Sequence, residues 1–441
     1  MISEHSSSNT VNMDCQTEKQ VNKSVDWDTL PFTALSKIYC LLDDQSRCQA
    51  GSVNSHWHTA YKTPQLWQKR HFKFDGTSCD DRALNYAKSV GRFMRTCTAT
   101  NTMHCERYAR RFQGSLTTYF NHLFKQDTQL RSFSFTELKL DRYFKDIATQ
   151  AKLTKSMVRF FKTQHSLISF DMSSSWMSES HGYSVLDAVA KRSNKTMRNV
   201  NLEDVFGSHM AIYRSADFIR AMVRFTNLEE VKMNYNCVSN DLLLAMGVSN
   251  ANCWKTLYIK CRKDEPYTQV IRPSTWIVLQ QYCPQLSVTM CLDGVYNYDT
   301  VKRILNPAIP LKHLEITGSN PEDTFKPDDT LRHLATSFGN TLKSVLIEVQ
   351  ASSFPVERGL LNLVSDCKQL LRLEIKAGIV NLSVMEEVMA MVKDRLQRRD
   401  PQRPLGLFKL TVDNMPLTYY QEMAAIFRRH SCTGFQLQYR F

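Results

Sequence analysis

Glycine is scarce in this chain: 14 residues of 441, about 3 % against ~7 % in ordinary proteins. Loops that cradle phosphate through bare backbone need glycine, and neither GxxxxGK(S/T) nor GxGxxG after a strand occurs. The nucleophile elbow GxSxG is also missing, since "VFGSHM" supplies Gly207 and Ser208 but no second glycine. There is no HExxH and no CxxC. No run approaches the ~18 apolar residues of a membrane helix, so no membrane association is expected. The first residues, "MISEHSSSNTVNMDCQTEKQ", have no apolar centre of a signal peptide. Residues 1–24 are therefore expected to form a disordered tail on an intracellular chain, with nothing to separate cytoplasm from nucleus.

Present in quantity are cysteine and positive charge. The 13 cysteines are an odd number scattered singly, which suits free thiols packed as small hydrophobes in a reducing compartment. The net charge is +13 but forms no long basic block. It is expected to be a solvated surface rather than a nucleic-acid site, whose binding would weaken steeply with salt.

The first ordered stretch, "VDWDTLPFTALSKIYCLLDDQSRCQAGSVNSHW", starts at Val25. Leu30-Pro31 opens a helix, since proline is tolerated in the first turn, with Asp28 or Thr29 ahead as cap. Leu35, Ile38 and Leu41/Leu42 recur at steps of three and four, giving one apolar stripe. "DDQSR" interrupts it, and a second helix is expected to place Ala50, Val53, Trp57 and Ala60 on one face. Gly51 inside that helix would cost ~1 kcal/mol. Pro64 then punctuates before Leu66 and Trp67.

The order and gaps of Leu30, Pro31, Leu35, Ile38, Leu41, Val53, Trp57, Pro64, Leu66 and Trp67 resemble an F-box. The resemblance implies docking onto a Skp-type adaptor, and through it onto cullin and RING subunits. Leu30, Pro31, Leu35, Ile38, Leu41, Leu42, Val53, Trp57, Leu66 and Trp67 would be the adaptor-binding set. Within it Leu30, Pro31, Leu35 and Ile38 are expected to face the partner, while Val53 and Trp57 also pack the hairpin together. The other reading of the same residues is the core of a small helical cap on a scaffold.

After Phe74 the chain turns repetitive. Runs of the form apolar-x-x-apolar-x-apolar start at Leu130, Leu167, Met197, Leu228, Trp254, Leu311, Leu342, Leu370 and Leu405. A weaker copy starts at Met94, "CPQLSVTMCL" fills the one double gap, and "CTGFQLQYRF" from Cys432 reads as a last strand. Alternate residues of each run face one side of a strand, and amphipathic stretches such as "SADFIRAMVRF" follow as helices. A strand plus a helix at a period near thirty cannot cover its own apolar face, whereas stacked copies can. The pattern resembles a divergent leucine-rich-repeat solenoid, over roughly residues 85–441. The Asn or Cys that such repeats carry after the run stands in register at Asn236, and Asn320 and Asn414 are shifted by one. An ordinary α/β domain with parallel strands is the alternative, but it would show fewer, longer strands and glycine-rich turns.

The expected architecture is thus an α/β repeat: a small all-α F-box module at 25–74, then an irregular solenoid of parallel strands and helices at 75–441. No catalytic, metal or cofactor site is expected. His56 and His58, two apart, would point to different faces of a helix. Cys253/Cys261 and Cys283/Cys291 share a spacing outside ordinary zinc sites and fit core or turn positions. Cys97, His104 and Cys105 form no recognised ligand pattern. The basic stretches "ERYARR" (106–111) and "DRLQRRDPQRP" (394–404) read as solvated, with an acidic or phosphorylated segment as the sharper alternative for arginine pairs. The function these features imply is substrate recognition for a ubiquitin ligase, the client being an unknown protein held by the solenoid. A non-ligase scaffold is the alternative.

Overall fold

The computed structural model describes residues 27–140, 147–319, 326–350, 356–377, 381–398, 406–413, 417–430 and 434–440. The expected N-terminal tail, Asn320, Asn414, Cys432 and residues 399–404 lie outside them. The chain divides into two compact units, Met1–Leu66 and Trp67–Phe441.

In the first unit, helices α1 (Phe32–Leu41), α2 (Asp44–Ala50) and α3 (Ser55–Tyr61) follow one another. The expected second helix is two. Asp43 caps α2 by accepting from the Ser46 N–H at 2.7 Å, so "DDQSR" starts a helix rather than interrupting one. Gly51 ends α2, and a Cβ there would stand 2.9 Å from the Tyr61 ring. It is a close-approach position, not a weak spot inside a helix. Asn54 then caps α3 through the Trp57 N–H at 2.8 Å.

Among the described residues, the strands of the second unit form one 13-stranded sheet and lie in sequence order. They are β1 (Lys69–Phe74), β2 (Thr96–Asn101), β3 (Ser132–Thr136), β4 (Ser169–Asp171), β5 (Asn199–Leu202), β6 (Glu230–Asn234) and β7 (Thr256–Arg262). They continue as β8 (Ser287–Asp293), β9 (Leu311–Ser319), β10 (Ser344–Gln350), β11 (Arg372–Ala377), β12 (Leu407–Asp413) and β13 (Phe435–Arg440). Every pairing is parallel. Helices between the strands are α4 (Asp80–Ser89), α5 (Ala109–Lys125), α6 (Ile147–Phe161), α7 (Glu179–Ser193), α8 (Ala216–Val223) and α9 (Asn240–Ser249). Then come α10 (Pro273–Tyr282), α11 (Tyr298–Ile304), α12 (Pro327–Phe338), α13 (Glu357–Asp366), α14 (Leu382–Arg398) and α15 (Leu417–His430). This is an irregular leucine-rich-repeat-like solenoid, and each run read from the sequence forms one of its strands. The sheet also begins earlier than those runs, at β1, whose "KRHFKF" has no leading leucine.

The runs make strands because every second residue is apolar, and the register lines those residues up. Leu202, Met233, Ile259, Met290, Leu314, Val345, Leu373 and Phe408 are paired from β5 to β12 and all buried. Each contributes about 1.5–3 kcal/mol on leaving water, but only if the next repeat covers it. In the first repeats aromatic rings fill the space beneath short strands. Phe161 meets Phe133 edge-on at 5.0 Å and Phe170 at 5.4 Å.

Strand-to-helix turns are closed by polar side chains. Ser178, Ser215, Ser239 and Asn297 cap the helices that follow them. Asn236, the residue the repeat pattern singles out, is buried and donates through its amide to the carbonyls of Gly207 (3.1 Å), Ser208 (3.3 Å) and Met210 (3.0 Å). It fastens one repeat to the loop of the one before. Arg395, within the basic stretch read as solvated, does the same from α14: its buried guanidinium donates to Val364 O (2.7 Å) and Cys367 O (3.2 Å). That part of the stretch is structural. Asn236→Ala should cost roughly 1–3 kcal/mol by orphaning buried carbonyls, read as a lower urea midpoint, whereas an unchanged midpoint would remove Asn236 from the stabilising set.

Candidate functional site

Pro31 precedes helix α1 as its N-cap residue, and its carbonyl accepts from Ala34 N–H (2.9 Å) and Leu35 N–H (3.0 Å) with no side-chain cap. Asp28 does not cap it. Its carboxylate instead accepts from the Asn54 amide at 2.6 Å, pinning the entry to α3. The centre of the unit is Tyr39, fully buried, whose hydroxyl donates to Trp57 O at 3.0 Å while its ring meets the Trp57 ring edge-on at 6.0 Å. Arg47 on α2 donates through Nε to Tyr39 O at 2.7 Å and Nη2 to Cys40 O at 3.4 Å, satisfying carbonyls that the end of α1 leaves open.

The ten residues expected to bind an adaptor fall into three groups. Pro31, Leu41 and Val53 are exposed, Leu41 at 88 % and Val53 at 62 %. Leu30, Ile38, Leu42 and Trp57 are half-buried. Leu35, Leu66 and Trp67 are buried. The roles expected of Leu35 and Val53 therefore change: Leu35 points into the small core, and Val53, in the break between α2 and α3, offers its side chain to solvent. Trp67 belongs to the second unit, where its carbonyl accepts from the Tyr86 hydroxyl at 2.6 Å. Trp27 and Phe32 are exposed as well, although the sequence pattern did not single them out. Four large exposed apolar side chains on so small a unit suit a docking surface.

His56 and His58 each engage a backbone carbonyl, Leu30 O at 2.7 Å and Gly51 O at 3.0 Å. Cys97 is buried against the Tyr119 hydroxyl, and burial pushes its thiol up to about 12, while His104 and Cys105 are exposed. Cys261, Cys283 and Cys291 are buried core thiols and Cys253 is half-buried. Among the described residues no group of three or more His, Cys, Asp or Glu is placed to hold a metal. Arg107 stacks 4.6 Å from the Tyr108 ring, and Arg110 and Arg111 are exposed. No helix among the described residues is long and apolar enough to cross a membrane.

Residues 27–73 match the family model described as F-box-like. The chain carries an F-box-like domain there. In structure the chain is similar to the leucine-rich repeat-containing protein LegL7 from Legionella pneumophila, at 12 % identity and a TM-score of 0.37, over 73 % of this chain and 97 % of that one.

On the solenoid, the side of the sheet away from the buried rows is mostly polar, with Leu346 of β10 as an apolar exception between Glu315 and Glu374. One row reads Thr98, Ser134, Asp171, Asn201, Lys232 and Tyr258 from β2 to β7. Two grooves lie along this side. One of about 580 Å³ runs over β10 to β13, where Glu348 is the register partner of Lys376, and Lys409 stands 3.8 Å from Glu374. One of about 210 Å³ lies over β4 to β6 between Asp171, Asn201, Glu230 and Lys232. Opposite charges thus stand on the same or adjacent strands along this side.

At the carboxyl ends of β5 to β7 the charges become buried. Lys260 reaches Glu203 and Asp204, each at 2.9 Å, and Arg262 reaches Asp204 at 3.1 Å while stacking 4.7 Å from the Trp176 ring. Burial opposes ionisation of Asp204, but hydrogen bonds and charge from Lys260, with Asn234 and Arg262, outweigh it and hold its pKa below the ordinary value. The neighbouring Glu265 accepts from the Asn234 amide (3.0 Å) and Asn236 N–H (3.1 Å), but burial dominates and raises its pKa to about 8. The sequence could not reveal this network, since its members stand at polar positions of three different runs. Because the native state retains a proton that the unfolded chain releases near 4.5, Glu265 makes stability fall as pH rises from there through about 8. Glu265→Gln should flatten that part of the stability–pH curve in urea titrations, and a parallel curve would show that the carboxyl ionises freely in the native state.

Proposed function

We propose that the chain is a non-catalytic substrate-recognition subunit of a Skp–cullin–F-box ubiquitin ligase, acting in the cytoplasm or nucleus. Its F-box-like segment, residues 25–74, docks a Skp-type adaptor that leads to cullin and RING subunits. The solenoid, residues 75–441, holds a client protein. The observation that carries this reading is the F-box-like match over residues 27–73, supported by outward apolar side chains at Pro31, Leu41 and Val53.

Such a subunit needs no reactive group. It raises the effective concentration of a client lysine near a charged ubiquitin-conjugating enzyme, turning an encounter into a nearly intramolecular step. Selectivity is then a difference in affinity between client and bystander. The grooved polar side of the sheet, with its paired charges, is the client surface this reading favours.

The burial of Leu35 favours a second reading, in which the hairpin is a structural cap on a binding scaffold. The two differ in one experiment. Purified wild-type chain should capture purified Skp-type adaptor, and Pro31→Ala/Leu41→Asp should weaken capture by ~10-fold or more, with far-UV circular dichroism unchanged. Leu30→Ala/Pro31→Ala should weaken it in the same direction. No capture by folded wild-type chain would demote the segment to a cap and leave the scaffold reading in place.

A further inference from the structure

Two neighbouring helices of the solenoid carry charge of one sign. Helices α5 and α6 pack side by side through aromatic rings, Phe120 lying 5.8 Å from Phe160 and 6.2 Å from Phe161. With the turns beside them, residues 107–126 and 147–170, they contain eight Lys and Arg and no Asp or Glu. The nearest acids in sequence, Glu106, Asp127 and Asp146, bracket these stretches. Counted with them and with the strand between, residues 106–170 hold twelve Lys and Arg against five Asp and Glu, more than half of the net charge of +13.

Helix stability does not account for this charge. Cations are favoured at a helix C-terminus and opposed at an N-terminus. Lys125 and Arg159 are placed favourably, but Arg110 and Arg111 stand in the first turn of α5, and Lys152 and Lys155 lie in the middle of α6. Other helices pair their charges: Lys191 with Asp187 at 2.7 Å, Arg220 with Asp217 at 2.9 Å and Arg332 with Asp328 at 2.7 Å. On α6, Lys152, Lys155 and Arg159 are all exposed, and so is Lys162 just after it. Steps of three and four set them in one outward row ~15 Å long, while Leu153, Met157 and Phe160 turn inward. Arg159 lies 4.0 Å over the Phe124 ring of α5, which holds its guanidinium in place before any partner arrives.

Like charges so placed repel one another, and an anionic partner turns that repulsion into attraction. What the face lacks says which kind of anion. Insertion into a membrane surface uses exposed apolar side chains, and single-stranded nucleic acid stacks on exposed rings. Among the described residues α5 and α6 expose no large apolar side chain. The half-buried rings beside them, Tyr108 and Phe124, lie under Arg107 and Arg159. Acidic residues three and four apart on a second helix, in contrast, repeat at the spacing of the α6 row. We propose that the α5/α6 face docks an acidic segment of a partner protein, whose Asp and Glu side chains meet Lys152, Lys155, Arg159 and Lys162. This stands independently of the ligase reading, because it uses neither the F-box-like segment nor the polar side of the sheet.

Fluorescence anisotropy of a labelled poly-glutamate peptide, titrated with the full chain, tests it. Lys152→Glu/Lys155→Glu is compared with Lys302→Glu/Arg303→Glu, a pair exposed on α11. Both change the net charge equally, so the comparison separates this face from the pull of the whole chain. The α6 pair should weaken binding ~10-fold or more by setting like charge against like, and should melt no lower than the wild type. The α11 pair should leave binding nearly unchanged. Should the α6 pair fail to fold, Lys162→Glu, beyond the end of the helix, carries the test. Equal weakening by the two pairs, or no binding of poly-glutamate by the folded wild type, would overturn the proposal. So would tighter binding of an oligothymidylate or of anionic vesicles that the α6 pair abolishes, which would give the face to nucleic acid or to a membrane instead.

Discussion

No strand–helix unit of this protein can cover its own apolar side, and the fold follows from that constraint. The buried row running from Leu202 through Ile259 and Leu314 to Phe408 is one surface shared by eight strands. Each residue is removed from water by the repeats beside it. Because the row carries the register, connections of unequal length are tolerated, and a shift such as that between Val288 and Thr289 does not end the sheet. What must be kept is the polar fastening between repeats, where Asn236 and Arg395 satisfy carbonyls that belong to the preceding one.

That constraint also decides what was legible. Period-two alternation behind a leading apolar residue marked strands wherever both features were present, down to the divergent copy at β8. Strand β1 escaped because its inward residues, Phe72 and Phe74, follow Lys69 and Arg70 with no leading aliphatic residue. In the small unit the helical stripe was legible, but Gly51 and Asn54 were not read as the end of one helix and the start of another. That misplaced Val53, and with it the division between core and surface. Leu35 and Val53 are both apolar anchors in a pattern, and only the packing around Tyr39 separates the one that faces inward.

Long-range polar pairing was the least legible part. Asp204 follows β5, Asn234 ends β6, and Lys260 and Glu265 lie in and after β7, and nothing local distinguishes them from the solvated charges of neighbouring runs. Their joint burial at the carboxyl ends of the strands depends on parallel register, which stacks corresponding turns. The two units differ in the share of apolar side chains they expose. The solenoid buries most of its own and exposes charge, whereas the helical unit exposes Trp27, Phe32, Leu41 and Val53. That imbalance is what the proposed coupling to a partner would require.

Hydrogen–deuterium exchange of the full chain, alone and with a purified Skp-type adaptor, tests the proposed coupling role most directly, because it reports where a partner sits without altering any residue. The account predicts slower exchange on adaptor binding in peptides covering residues 27–66, with the strands β2 to β12 unchanged. No slowing anywhere, or slowing confined to the strands, would contradict it.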